Sequence, residues 1–192
     1  MAPVSVAFIV YDGFTLLDFA GVYDPVTRLR TMGFVPDFSY TVCARQEVVH
    51  SSEGITIIPD AVNIPLPSFD YIVIPGGNSV KDLMNDRQFL DWITVSGPVI
   101  ASVCGGSLLL GAAGILRGRK ATTHPGLRSV LAHFADAVSE ERIVEDHGVI
   151  TAGGVTSAID LGLYICERIA GCDVREKIAS QMDYPHYQTG LR

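Results

Sequence analysis

Cys104 stands between "PVIASV" (98–103), an apolar β-branched run, and "GGSLLLGAAGIL" (105–116), a glycine-led stretch with helical spacing. A residue at a sharp turn from a buried strand into a helix is held clear of the sheet, and glycines at 105 and 106 permit close packing there. The sulfur would then face a helix N-terminus. Free N–H groups and the helix dipole stabilise an anion, so a thiol with an ordinary pKa of about 8.5 is expected to fall to neutral or below. The competing reading is a small inert core cysteine, the commoner fate of an isolated cysteine in apolar sequence. Spacing alone leaves the two open.

Two other strand ends carry distinctive residues: Asp18, shortly after "VSVAFIVY" (4–11), and Pro75-Gly76-Gly77, directly after "DYIVI" (70–74). The elements that must bring these together follow from hydrophobic periodicity. Short continuous apolar runs bounded by turn residues read as strands buried on both faces. The segment 16–33 reads as a helix stopped by Gly33, with Pro25 expected to kink or split it. Residues 38–44 read as a strand and 47–60 as a hairpin around Ser52-Glu53-Gly54. Further helices are expected over 79–96, 105–117, 126–135, 154–171 and 173–183. An extended piece is expected in "KATTHPG" (120–126) and a hairpin in "RIVEDHGVITAGG" (142–154).

Buried strands alternating with amphipathic helices predict an α/β fold, with a mostly parallel central sheet sandwiched between helix layers and one domain over 1–192. Loops leaving the carboxyl ends of such strands collect along one edge. Asp18, Gly76 and Cys104 are therefore expected to meet.

The 192 residues are 48% hydrophobic and 18% charged, enough for a sizeable core. A net charge of -7 offers no basic stripe for a phosphate backbone, so nucleic-acid binding is not expected. The four cysteines lack C-x-x-C spacing, which suits a reducing cytoplasm. No signal-peptide pattern opens the chain, and the longest apolar stretch is interrupted by Ser, Cys and glycines, so neither export nor membrane insertion is expected.

"IPGG" (74–77), "ASVCGGSLLLGAAGIL" (101–116), "GRKATTHPG" (118–126) and "ITAGGVTSAIDLGLYICERIAG" (150–171) occur in an order and spacing that resemble the ThiJ/PfpI superfamily. With "YDGFTLLDFAGVYD" (11–24), the resemblance spans nearly the whole chain. It implies a flavodoxin-like three-layer sandwich of the class I glutamine-amidotransferase-like type and a homodimer, for which the apolar helix near 16–29 is the candidate interface. It also implies an elbow cysteine beside an acidic side chain from the first strand-helix connection. Many members carry glutamate there, whereas this chain carries Asp18. That aspartate, the "FAG" after it and the "TAGGVTSAIDL" stretch are similar to the isonitrile (isocyanide) hydratase branch. The same features occur in sensor domains of AraC-type regulators. Those carry a C-terminal helix-turn-helix module, for which there is no room before Arg192, so a complete regulator is not expected.

The hydratase resemblance implies a small-molecule substrate and chemistry without metal or organic cofactor. Cys104 would add to the terminal carbon of an isonitrile, forming a thioimidate. Asp18, its pKa raised by desolvation, would supply a proton and then help activate the water that releases a formamide. Amides of Gly76, Gly77 and Gly105 would surround the reacting group with donors. One position departs from the branch: a hydroxyl residue usually follows the cysteine, and here it is Gly105. Ser107, Thr123 or water are the candidates to replace it. Two other functions stay open. One is a glyoxalase or deglycase acting on 2-oxoaldehydes, for which glutamate is expected at position 18. The other is a non-enzymatic sensor in which Cys104 is oxidised to a sulfinate held by Asp18 and the elbow amides.

Without the resemblance, Asp18 reads first as a solvated carboxylate in a helix first turn. His124 resembles the superfamily histidine brought near the elbow, and reads equally as a strand-end histidine satisfied by backbone. His50, His133, His147 and His186 lack the i, i+4 pairing of a metal site and read as surface residues. Cys43, Cys166 and Cys172 read as structural. Asp160 reads as a cap or an interhelical hydrogen-bonding group. "IPGG" lacks the flanking residues of a nucleotide-binding loop.

Overall fold

The computed structural model describes residues 3–185. The chain runs through β1 (Ser5–Ile9), α1 (Leu16–Thr31), β2 (Ser39–Ala44), β3 (Val49–His50), β4 (Thr56–Ile57), β5 (Ala61–Val62) and β6 (Tyr71–Ile74). It continues with α2 (Val80–Leu83), α3 (Arg87–Ile93), β7 (Val99–Val103), α4 (Gly106–Ala112) and β8 (Lys120–Ala121). A 3-10 turn (Pro125–Leu127) leads into α5 (Arg128–Leu131), β9 (Ala137–Val138), β10 (Ile143–Asp146), β11 (Val149–Ala152), α6 (Ser157–Ala170) and α7 (Cys172–Gln181).

Seven strands form one sheet in the order β10-β11-β7-β6-β1-β2-β5, parallel throughout except for the β10–β11 hairpin. Strand β1 sends Val6 and Phe8 to one face and Ala7 and Ile9 to the other. Both faces are covered, which is why the strand reads as unbroken apolar sequence instead of alternating. Val22, Val26 and Leu29 of α1 and Leu161 and Ile165 of α6 pack on the first face, while Leu108, Leu109 and Leu110 of α4 and Phe89 and Ile93 of α3 pack on the second. The fold is the α/β sandwich with a mostly parallel sheet that the sequence predicts.

Local differences have local causes. Helix α1 runs unbroken through Pro25, whose ring packs on α6 so closely that a Cβ at Gly162 would lie 2.4 Å from Pro25 Cγ. Tertiary packing holds the helix where the proline alone would bend it. The expected 79–96 helix is two: α2 ends at Leu83, and the Asp86 carboxylate starts α3 afresh by accepting from the Phe89 N–H at 3.0 Å. Helix α4 stops at Ala112, short of the expected 117, and the expected 126–135 helix is a 3-10 turn plus one α-turn. Strand β5 has too few residues to show a period. Strands β8 and β9 pair with each other outside the main sheet. Among the described residues no helix is long and apolar enough to cross a membrane.

Strand order reverses direction of growth at β1, which lies between β2 and β6. The connections after β1 and β6 diverge there and leave a crevice at the strands' carboxyl ends.

Candidate active site

Cys104 follows β7 with φ of 55°, in the left-handed region that a side chain enters at a cost of about 1–2 kcal/mol. Four hydrogen bonds hold it there. Its N–H donates to the carbonyls of Ala152 at 3.1 Å and Gly153 at 2.9 Å, at the end of neighbouring strand β11. Its own carbonyl accepts from Thr123 Oγ1 at 2.8 Å and from Ser107 Oγ at 3.1 Å. The backbone is thus fixed from both sides, and the Gly105 amide lies beside the sulfur, where it favours the thiolate.

Asp18 reaches the same place from the first turn of α1. The entry to that helix is clamped at Phe14, whose backbone pairs with Ser51 on one side and Gly77 on the other. The Thr15 N–H adds a bond to the Gly76 carbonyl at 2.9 Å. Far from being solvated, Asp18 is fully buried. Its Oδ2 accepts from the Gly76 N–H at 2.9 Å, its Oδ1 is buried without a full hydrogen bond among the described residues, and the carboxyl interacts with the Cys104 thiol. Gly76 is the point of convergence. A Cβ added there would lie 2.6 Å from Gly105 N, 2.9 Å from Asp18 Oδ2 and 3.1 Å from Cys104 Cβ. The three strand ends singled out in the sequence meet around one glycine, and only hydrogen fits between them.

Burial pushes the Asp18 carboxyl up to about 7, and the charge of Glu53 adds to the rise against the opposing pull of the Gly76 amide and the thiol. Near neutral pH the group therefore exchanges a proton readily. The expectation of a depressed thiol pKa is overturned: burial pushes Cys104 up to about 12, and the Asp18 charge adds to it, outweighing the Gly105 amide. The physical reason is that α4 has only seven residues and begins in the core, so its dipole does not offset desolvation and a facing carboxylate. Cys104 and Asp18 titrate as a pair, and neutralising Asp18 removes a repulsion that opposes the thiolate.

The remaining sequence candidates fall as follows. Thr123 is fully buried and spends its hydroxyl on the Cys104 carbonyl, so it holds the elbow. Gly77 packs on the Gly13-Phe14 backbone, and its N–H has no acceptor among the described residues. His124 accepts from the Gly126 N–H through Nδ1 at 3.1 Å, capping the 3-10 turn; its Nε2 side faces Gly154. Ser107 likewise bonds the elbow carbonyl and is not free to replace the hydroxyl missing at position 105. A Cβ at Gly105 would meet Val80 Cγ2 at 3.3 Å and Leu127 Cδ1 at 3.4 Å, both side-chain ends.

Two contributors escaped the sequence reading. Tyr11, buried beneath the site, donates its hydroxyl to the Pro75 carbonyl at 2.8 Å. Glu53, at the tip of the β3–β4 hairpin, accepts from the Leu16 N–H at 3.0 Å and so places a second carboxylate at the start of α1. The hairpin was legible, but its folding onto α1 is a long-range contact with no local signal.

Elsewhere, His50, His133 and His147 are exposed, and His186 lies outside the described residues. Asp160 is buried and pairs with Arg142 and the Tyr184 hydroxyl, a structural role. Cys43 and Cys166 are buried, whereas Cys172, read as structural, is exposed at the start of α7.

Residues 4–168 match the DJ-1/PfpI family. The sequence is 32% identical to isonitrile hydratase from Pseudomonas putida over 97% of this chain and 82% of that protein. It is 25% identical to the HTH-type transcriptional regulator GbdR of Pseudomonas aeruginosa over 95% of this chain, which spans about half of that regulator. A crystal structure of a ThiJ/PfpI family protein from Pseudomonas syringae superposes with a TM-score of 0.87 at 30% identity, covering 97% of this chain and 77% of the other.

Proposed function

We propose, for a chain that belongs to the DJ-1/PfpI family, that Cys104 and Asp18 hydrate isonitriles to N-substituted formamides. The observation that carries this reading is the convergence at Gly76 of a strained, partly exposed cysteine and a fully buried aspartic acid. Similarity to an isonitrile hydratase along nearly the whole chain supports the same choice of electrophile.

The reaction balances as R-N≡C plus water to R-NH-CHO. The Cys104 sulfur forms a bond to the terminal carbon, and that carbon gains a proton, giving the thioimidate R-N=CH-S-Cys. Asp18, protonated near neutrality because of its raised pKa, delivers this proton to the carbon and takes up the one that the thiol releases as the sulfur bonds. Water then adds to the same carbon as Asp18 gives its proton to the nitrogen and takes one from the water, leaving R-NH-CH(OH)-S-Cys. The carbon-sulfur bond breaks, the hydroxyl proton passes by way of Asp18 to the sulfur, and the formamide leaves with the thiol restored. The N–H of Gly77, which has no protein acceptor among the described residues, is available to a polar atom of the intermediate. The chain does this without a hydroxyl at position 105.

The test is formamide production from cyclohexyl and 4-nitrophenyl isocyanide by the native protein, Cys104→Ala and Asp18→Asn. Turnover lost in both variants supports the reading and its two roles; no turnover by the native protein overturns it. A sensor is the second reading, favoured by the similarity to a transcriptional regulator along 95% of the chain. Peroxide treatment followed by intact-mass analysis addresses it, a stable two-oxygen adduct on Cys104 without isonitrile turnover being the sensor's signature.

The same proposal includes a homodimer formed through the start of α1 and the β3–β4 hairpin. Leu17 is 44% and Ile55 49% exposed on these adjoining pieces, which gives a second copy apolar side chains to cover. Light scattering on the purified protein measures the mass directly.

A further inference from the structure

The peptide group that serves Asp18 is itself held by a third residue. The Gly76 N–H that donates to Asp18 Oδ2 at 2.9 Å and the Pro75 carbonyl that accepts from the Tyr11 hydroxyl at 2.8 Å belong to one peptide unit. Tyr11, that peptide and Asp18 therefore form a continuous hydrogen-bonded chain, and Tyr11, Pro75, Gly76 and Asp18 are all buried. A donor on a peptide oxygen polarises the amide and makes its N–H a stronger donor, the more so away from water. Tyr11 is itself fixed at both ends. Its own carbonyl accepts from the Phe14 N–H at 3.1 Å, in the turn that leads into α1, and its ring packs edge-on against Phe89 with centroids 5.6 Å apart. Burial, and after it the charges of Asp18 and Cys104, push the phenol well above its ordinary range. Tyr11 thus stays protonated and donates throughout the range in which Asp18 titrates.

We infer that Tyr11 is a positioning residue for Asp18: acting through the Pro75-Gly76 peptide, its hydroxyl strengthens and orients the amide that holds the carboxylate. It favours the ionised form of Asp18 against burial and against the charge of Glu53 on the hairpin, in the same direction as the Cys104 thiol at the end of β7. Without the hydroxyl, Asp18 holds its proton more tightly. In the proposed hydration Asp18 gives protons as well as taking them, so a tighter hold slows the steps in which it gives one. That consequence rests on the proposed function, whereas the proton affinity of Asp18 does not.

The experiment therefore reads the carboxyl itself. The protein is labelled with carbon-13 at its aspartate carboxyl carbons, and the Asp18 signal is identified by its loss in Asp18→Asn. Its NMR shift is then followed with pH in the native protein and in Tyr11→Phe. The midpoint in Tyr11→Phe is expected to lie about half a pH unit higher, a roughly threefold gain in proton affinity, as when a charge-assisted hydrogen bond loses about a fifth of its strength. 3-Fluorotyrosine in place of Tyr11 is a stronger donor of nearly the same shape and should move the midpoint down, and it carries the test if Tyr11→Phe does not fold. A phenol that only fills the core does not produce shifts of opposite sign. A midpoint unmoved by either replacement, or moved the same way by both, overturns the inference. A protein inert toward isonitriles that shows the opposed shifts loses the hydratase reading and keeps the role of Tyr11, and turnover with an unmoved midpoint does the reverse.

Discussion

The Gly76 amide donates to Asp18 Oδ2 at 2.9 Å, joining residues 58 positions apart. One amide is little support for a fully buried carboxylate, and burial accordingly pushes Asp18 up to about 7 from an ordinary 3.8. The sign of the consequence is fixed. Between pH 4 and 7 the folded state binds more protons than the unfolded one, so stability falls as pH rises through that window. The loss above pH 7 is on the order of 4 kcal/mol, about three pKa units at 1.36 kcal/mol each. Asp18→Asn abolishes it. Urea denaturation should show the native protein losing stability relative to the variant between pH 4.5 and pH 8; equal slopes with pH would falsify the assignment.

The same carboxyl sets the pH dependence of turnover. If Asp18 delivers the proton to the isonitrile carbon, kcat/KM falls as pH rises through about 7. Glu53 is one cause of the rise in the Asp18 pKa, and its charge is borne on the hairpin instead of on α1. Glu53→Gln removes the charge while its amide oxygen can still accept from the Leu16 N–H. The alkaline limb of the profile should then move to lower pH. A limb that stays in place means that Glu53 only anchors the hairpin.

Thr123 acts on the cysteine through the backbone, since its hydroxyl donates to the Cys104 carbonyl at 2.8 Å from a fully buried position. Thr123→Val keeps shape and loses that bond, at a cost of about 1–2 kcal/mol for a carbonyl left with one donor fewer. A positioning role predicts a lower kcat with KM nearly unchanged, and recovery in Thr123→Ser. A rise in KM alone would instead place the hydroxyl against substrate.

What could be read in advance follows from the range of the interactions involved. Strands β1, β6 and β7 are apolar on both faces, so their positions, and with them the meeting of Asp18, Gly76 and Cys104, were visible as runs of residue types. The split between α2 and α3 rests on one side-chain cap at Asp86, and the continuity of α1 through Pro25 rests on packing against Gly162; neither has a periodicity. Cys104 shows the larger gap. A helix N-terminus beside a thiol is a local pattern, but the burial and the facing carboxylate that reverse its effect come from a helix 86 positions earlier in the chain. Signs of pKa shifts depend on such neighbours, and Glu53 is another that sequence spacing does not place.

Gly76 and Gly105 separate two kinds of close approach at the elbow. In Gly76→Ala the new methyl would lie 2.6 Å from a backbone nitrogen and 2.9 Å from the Asp18 carboxylate, so either the β6 loop or the elbow must shift. Overpacking of this kind costs about 1–3 kcal/mol, and a displacement of Asp18 from Cys104 costs activity in addition. In Gly105→Ala the nearest atoms are the Val80 and Leu127 side-chain ends at 3.3 and 3.4 Å, and the backbone φ of −66° suits any residue. That variant should fold within about 1 kcal/mol of the native protein, because flexible ends can give by a few tenths of an ångström. Thermal melts and turnover measured on both variants check the contrast. Gly76→Ala should be impaired in both respects, while Gly105→Ala should be nearly unaffected in both. Equal damage from the two would mean that the Val80 and Leu127 side chains give no more readily than the backbone at Gly76.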